Sequence, residues 1–248
     1  MLKRFTADLH VHTCLSPCAD VTMSPRKIVA AAGRSGLGII AITDHNSAGN
    51  AGAVMRAAAG SLVTVLPGLE ICTQEEVHIL GLFGSLDAAL TMQSLISPSL
   101  TEANAADLFG PQVLANEFDE VEGYDERLLI GATGMTLEDV VTAIHRLGGL
   151  AVASHIDRER NGLIGQLGFV PASLPLDAVE ITGRLTSEAR EALMRGGRQL
   201  PVIRNSDAHE LEQLGVRRTV YVLEAPTLPE LRMALRNEQG RSTQIGTA

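Results

Sequence analysis

Six of the seven histidines in this 248-residue chain stand beside acidic residues or where a short apolar run stops. They are His10 and His12 in DLHVH, His45 in TDH, His78 in EEVH, His155 in SH and His209 in DAH. Asp20, Glu70 and Asp207 recur near them. A packed core has no use for so many imidazoles and carboxylates at strand ends, whereas neutral imidazole nitrogen and carboxylate oxygen are ordinary ligands of divalent metals. His10 and His12 lie two apart on a predicted strand, so both side chains point to one side and can reach a single ion. Asp207 and His209 repeat that spacing. An HxH pair alone suits a structural role equally well; HxH, TDH, GLE, EVH and SDAH together point to a metal cluster. His145 differs, because it falls inside a predicted helix with Arg146 beside it and reads as a solvated or helix-capping residue.

These residues need elements to position them, and the chain alternates short apolar runs with helical stretches. Strands are predicted at Arg4–His12, Gly36–Thr43, Leu62–Leu66, Val77–Phe83, Leu150–Ser154, Ala178–Thr182, Pro201–Asn205 and Thr219–Leu223. Ser24-Pro25 supplies an N-cap and a proline at the first helical position for a helix to about Ser35. Further helices are predicted over Ala48–Ala59, Thr136–Leu147, Ser187–Arg195 and Leu228–Asn237. Repeated βα units mean a parallel sheet, either a barrel or a doubly wound sheet. The candidate ligands follow at least five different strands, and only a barrel gathers those ends at one mouth. The expected organisation is one barrel domain over residues 1–240, with a helical insertion at about 85–134 and a frayed tail at 241–248.

Composition sets the boundaries. A chain 45% hydrophobic and 20% charged builds a large core. Aromatics make up 3% of it, tryptophan is absent and the formal net charge is -9. Those values argue against nucleic acid as a partner, except as short nucleotides, because stacking platforms and phosphate-neutralising charge are both scarce. A small phosphorylated substrate remains compatible, since bound cations reverse the local field. Lys3 and Arg4 precede no apolar leader, and no run approaches the roughly 18 apolar residues of a membrane span. The expectation is a cytoplasmic protein with no membrane partner. Three cysteines make no disulfide framework. Cys14 and Cys18 form a CxxxC without a second pair and read as reduced thiols rather than ligands.

The strings DLHVHT, AITDHN, PGLEI, EVHILGLF, ASHID and NSDAHE, in this order, resemble the polymerase and histidinol phosphatase (PHP) family from Thr6 to about Leu223. The resemblance implies an α/β fold, a distorted TIM-like (β/α)7 barrel, with two to three divalent ions of zinc, manganese or iron. It assigns His10, His12, Glu70 and Asp207 to one ion, with Glu70 bridging to a second completed by His78 and His155. Asp20, His45 and His209 would hold a third, and Asp8 and Asp44 would orient ligands. It further implies a phosphoesterase that hydrolyses a small phosphorylated substrate through a metal-activated hydroxide. No serine or cysteine nucleophile is then required.

Arg158, three residues after His155, reads as a catalytic phosphate clamp, with Arg184, Arg217 and Arg218 as secondary candidates. An amidohydrolase-type metal hydrolase also begins with HxH on a barrel strand, but it usually wants a bridging lysine between the histidines. Lys27, the only lysine after Lys3, lies in a predicted helix. A non-catalytic metal-binding or regulatory domain is the other alternative; the full ligand set argues against it.

Overall fold

The structure is a computed structural model that describes residues 1–183, 186, 187, 191, 193 and 199–245. In chain order its strands are β1 (Lys3–Val11), β2 (Ile39–Ile42), β3 (Thr64–Cys72), β4 (His78–Leu82), β5 (Val113–Ala115), β6 (Val121–Tyr124), β7 (Leu150–Ala153), β8 (Ala178–Glu180), β9 (Val202–Ile203), β10 (Thr219–Leu223) and β11 (Ser242–Ile245). The α-helices among the described residues are α1 (Pro25–Arg34), α2 (Ala51–Ala57), α3 (Leu86–Ile96), α4 (Ala106–Phe109), α5 (Leu137–Arg146), α6 (Leu163–Leu167) and α7 (Leu228–Leu235).

Nine strands form one sheet in the order β11-β10-β1-β2-β3-β4-β7-β8-β9. From β1 to β9 every neighbouring pair is parallel except those of β4, which runs against both β3 and β7. The sheet curls until its ends nearly meet. At the C-terminal mouth a parallel bridge between Val11 and Ala208 closes the gap, with His12 N donating to Ala208 O at 3.0 Å. At the opposite end β10 pairs antiparallel with the first half of β1, and β11 with β10. The expected barrel is therefore present, distorted by one reversed strand and closed differently at its two ends.

Strand alternation splits the core in two. Ala7, Leu9, Ile39, Ala41, Leu80, Leu82, Val152 and Ala178 fill the barrel interior. Ile40, Ile42, Leu69, Ile71, Ile79 and Val179 face outward onto helices. Helix α5 shows how such a cover forms: Thr136 Oγ1 accepts from Asp139 N at 3.2 Å, and Leu137, Val140, Val141 and Ile144 make its buried stripe.

Three expectations need correction. The third strand does not stop at Leu66. Pro67 lacks an N–H, but its carbonyl accepts from Phe83 N at 2.9 Å, and β4 pairs over residues 68–72, so β3 continues through Glu70. The 85–134 insertion is not purely helical: it holds α3, α4 and the β5–β6 hairpin. Residues 242–245, expected to fray, are β11, because the alternating Ser242–Ile245 segment finds the open edge of β10. The helix expected over Ser187–Arg195 lies for the most part outside the described residues, as does Arg184.

Gly68 permits the tight β2–β3–β4 packing under the site. A Cβ there would stand 2.8 Å from Gly81 O and 3.0 Å from Thr43 Cγ2. Gly68→Ala is expected to lower stability by about 2 kcal/mol through overpacking, read from the urea or thermal midpoint.

Candidate metal centre

A β-bulge aims the first two candidate ligands. Asp8 pairs with Ile40 and Val11 with Ile42, so β1 carries one extra residue between these pairs. Ala7 and Leu9 point into the barrel below the bulge. Above it Val11 packs outward, and His10 and His12 turn inward at the mouth. His45 follows β2, His155 follows β7, and Asp207 and His209 follow β9. His78 begins β4 rather than ending it, and the reversal of that strand brings its N-terminal end to the same mouth.

Glu70 lies at the centre and is 1% exposed. Its Oε1 is 2.9 Å from His78 Nδ1, 3.0 Å from His155 Nε2 and 3.3 Å from His10 Nε2. Its Oε2 is 3.2 Å from His45 Nδ1 and 3.3 Å from His12 Nε2. Asp207 Oδ1 sits 3.1 Å from Nε2 of both His10 and His12. The ligand atoms fall into three groups, each within 4.8 Å: His10, His12, Glu70 and Asp207; His45, Glu70 and His78; and His12, His45 and His209. Such sets of nitrogen and oxygen donors fit divalent ions. His155 meets Glu70 through Nε2 but falls in none of the three groups, and its Nδ1 is buried without a hydrogen-bond partner.

Neighbouring groups fix how each imidazole presents itself. Glu180, at the end of β8, takes the Nδ1 side of His10 at 3.1 Å and accepts from His155 N at 3.1 Å and Asn205 Nδ2 at 2.7 Å. That contact leaves His10 Nε2 facing the cluster. Ser16 Oγ meets His12 Nδ1 at 2.9 Å and donates to Asp44 Oδ1 at 2.7 Å, so Asp44 orients His12 through a hydroxyl. Asp8 instead accepts from Ser206 N and Gly215 N, fastening the loop after β9 to β1. His155 and Asp207 both hold left-handed backbone, with φ of 26° and 55°. Non-glycine residues keep such conformations only where the surroundings over-determine them.

Without cations the cluster is a proton trap. Burial works against a charged His12, but the adjoining Asp207 and Glu70 outweigh it and hold its pKa up at about 9. His10 is likewise raised, its burial outweighed by Asp207, Glu70 and Glu180. Burial, with repulsion from His12, drives His209 down to about 4. Burial holds Glu70 back from ionising, yet the surrounding His78 and His10 keep it well below the usual carboxylate range.

The other expected residues spread outward. Arg158 Nη1 grips Asp207 Oδ2 at 2.7 Å and lines the cavity above Glu70. Its loop folds back so closely that a Cβ on Gly162 would lie 2.3 Å from Arg158 O. Asp20 does not join the cluster: its carboxylate is exposed and accepts from Thr22 N at 2.7 Å, while His12 stands with His45 and His209 where Asp20 was expected. His145 stays apart, as expected, but pairs with Asp177 at 2.8 Å rather than resting in solvent. Cys14 and Cys18 are in none of the groups, and burial, with Asp44 nearby, pushes the Cys14 thiol up to about 12. Sequence reasoning missed Glu180. Its one signal was an acid closing the short apolar run Ala178–Val179.

Two measurements follow. His12 carries a proton below about pH 9 that an incoming ion must displace, so Mn²⁺ or Zn²⁺ binding is expected to release protons at pH 7 and tighten as pH rises towards 9. Calorimetry in buffers of different ionisation enthalpy reads both effects. Glu180→Gln is expected to weaken metal binding by about 10- to 100-fold, and His145→Ala to leave it unchanged.

Comparison with known proteins bears on this geometry. The PHP domain model matches residues 8–161. The 5'-3' exoribonuclease Rnm of Salmonella typhimurium is 29% identical over 196 residues, 61% of this chain and 65% of that protein. The chain thus spans just under two thirds of that relative's length. Among solved structures, the lesion-specific endonuclease EndoQ from Pyrococcus furiosus superposes with a TM-score of 0.71 at 16% identity, covering 97% of this chain and 58% of that one. An endonuclease Q complex with a 27-mer duplex bearing an abasic lesion at the active site gives 0.65 at 16% identity and the same coverage. Nucleic acid is therefore no longer argued against, and the expectation drawn from net charge is overturned. Eight of the 29 carboxylates but one of the 20 basic residues lie within residues 97–134, so the acidity is concentrated in the insertion. No helix among the described residues is long and apolar enough to cross a membrane. With the motif order, the barrel and the family match in agreement, the chain belongs to the PHP domain family of metal-dependent hydrolases.

Proposed function

We propose that the chain is a metal-dependent phosphoester hydrolase whose substrates are nucleotide phosphodiesters. The observation that carries this reading is the single buried Glu70 carboxylate with five imidazoles around its two oxygens. In this reading His10, His12, Glu70 and Asp207 would hold one divalent ion, Glu70 with His78 and His155 would hold a second, and His45 and His209 would contribute to a third. The donor set suits zinc, manganese or iron. Bound there, such ions acidify water and neutralise phosphoryl charge.

The chain's own residues do the rest. Glu180 and the Asp44–Ser16 pair keep the Nε2 atoms of His10 and His12 turned to the cluster. Arg158 steadies Asp207 and offers its remaining N–H groups to phosphoryl oxygens at the mouth. A small phosphorylated molecule meets the same chemistry; the curated relative, named as an exoribonuclease, favours the nucleotide class.

Protein reconstituted with Mn²⁺, Zn²⁺ or Fe²⁺ is expected to bind at least two ions per chain and to hydrolyse bis(p-nitrophenyl) phosphate and short oligoribonucleotides. EDTA should abolish that activity. Glu70→Ala should lower it by roughly a thousandfold, the worth of several kcal/mol of lost charge stabilisation. Fewer than two ions per chain, or activity indifferent to both Glu70→Ala and His10→Ala, would overturn the assignment.

A further inference from the structure

A cleft of about 860 Å³ opens at the base of the barrel, the end away from the metal cluster. Its walls come from the residues that lead into β8 and β9, from helices α5 and α7, and from the turn after α7. None of the candidate ligands lines it. Two arginines singled out in the sequence also lie elsewhere: Arg217 lines the mouth beside Arg158, and Arg218 donates to Ser35 O at 3.3 Å. The basal cleft is the size of a small-ligand site, and such sites set a few polar groups against apolar walls.

Two guanidinium groups line it with donors to spare. Arg232, on α7, is anchored through Nη2, which donates to Gly148 O at 2.9 Å and Gly149 O at 2.8 Å. Its Nη1 and Nε bond nothing among the described residues, and Nε is buried. Arg236 follows one turn later and donates no side-chain hydrogen bond among those residues. It stands 4.0 Å from both Asp177 Oδ1 and Glu238 Oε1, at the limit of ion pairing. Asp177 is already engaged, because its Oδ2 accepts from Ala151 N at 2.9 Å and meets His145 Nε2 at 2.8 Å. Side chains four apart on a helix are neighbours, so these two like charges repel unless an anion lies between them.

The remaining wall has a different character. Leu176, Leu200, Pro201 and Leu235 make it apolar, and the amides of Gln199 and Asn237 complete it. Apolar area favours a ligand body of the same kind, while amides can donate to or accept from ring nitrogens.

We propose that the basal cleft binds a small organic phosphate with a flat, largely apolar body, such as a nucleoside monophosphate. Its phosphate sits between Arg232 and Arg236 in charge-assisted hydrogen bonds, and its ring lies against the leucine–proline wall. The site is separate from the metal centre, and the inference stands whether or not the phosphoesterase reading does.

The test is calorimetry on the metal-free protein, with AMP as the ligand and inorganic phosphate and adenosine as its two halves. AMP is expected to bind with a Kd below about 1 mM, at least about tenfold tighter than either half. Arg236→Ala, which breaks no side-chain hydrogen bond within the described residues, should weaken AMP binding roughly 10- to 100-fold. Leu200→Glu, which sets a carboxylate in the wall, should abolish it, and the thermal midpoint of each variant reports whether the fold survives. Arg158→Ala, at the mouth, should leave AMP binding unchanged. Hydrogen exchange should show protection by AMP around His145 and Arg232–Glu238 rather than around His10 and Asp207. Absence of AMP binding to the folded wild-type protein would overturn the inference. So would binding that Arg236→Ala leaves intact, or that Arg158→Ala removes, the mark of a nucleotide held at the mouth. Phosphate binding as tightly as AMP would overturn it as well, since the wall would then contribute nothing.

Discussion

A carboxylate with no water around it must be satisfied by its neighbours, and at Glu70 those neighbours are five histidines. Burying that charge costs several kcal/mol unless opposite charge surrounds it. In the metal-free chain protons on His10, His12 and His78 supply that charge; in the loaded chain cations would. Each alternative demands the same geometry, because both need imidazole nitrogens within reach of both carboxylate oxygens. The closure at Val11–Ala208, the strained backbone of His155 and Asp207, and the orienting contacts of Glu180 and Asp44 all serve to hold that arrangement.

The two ends of the barrel divide the work. At the base, pairing of β10 with β1 and packing of Tyr221, Leu223, Leu231 and Leu235 give an apolar floor. At the mouth the apolar layers stop at Leu9, Leu66 and Leu80, and polar groups take over. Stability and chemistry are thus stacked along one axis. The base can bear the cost of a mouth full of ionisable groups.

Much of this was legible in the chain because metal ligands are rare residue types in rare orders. His10, His12, His45, Glu70, His78, His155, Asp207 and His209 announce themselves by identity and by the apolar runs they end. Asp20 misled, since an acid in a loop is read the same way whether it turns inward or caps Thr22. Glu180 stayed hidden because its role depends on β8 lying across the barrel from β1, a relation that no local pattern encodes. The extent of β3 was missed for a similar reason: Pro67 and Gly68 look like punctuation until β4 is seen to pair across them. Net charge misled by averaging, as the acidic stretch 97–134 outweighed an otherwise near-balanced chain.

The extra residue between Asp8 and Val11 places the apolar and the ligating halves of β1 out of phase by one position. A strand of the same residues paired without that bulge would keep every histidine and still lose the cluster. Alternation from Ala7 and Leu9 would send the imidazoles into the helix layer and Val11 to the mouth. For this strand, then, the spacing of residues matters as much as their identity. In related chains, a change that lets β1 pair regularly along its whole length would disperse the cluster with every histidine still in place.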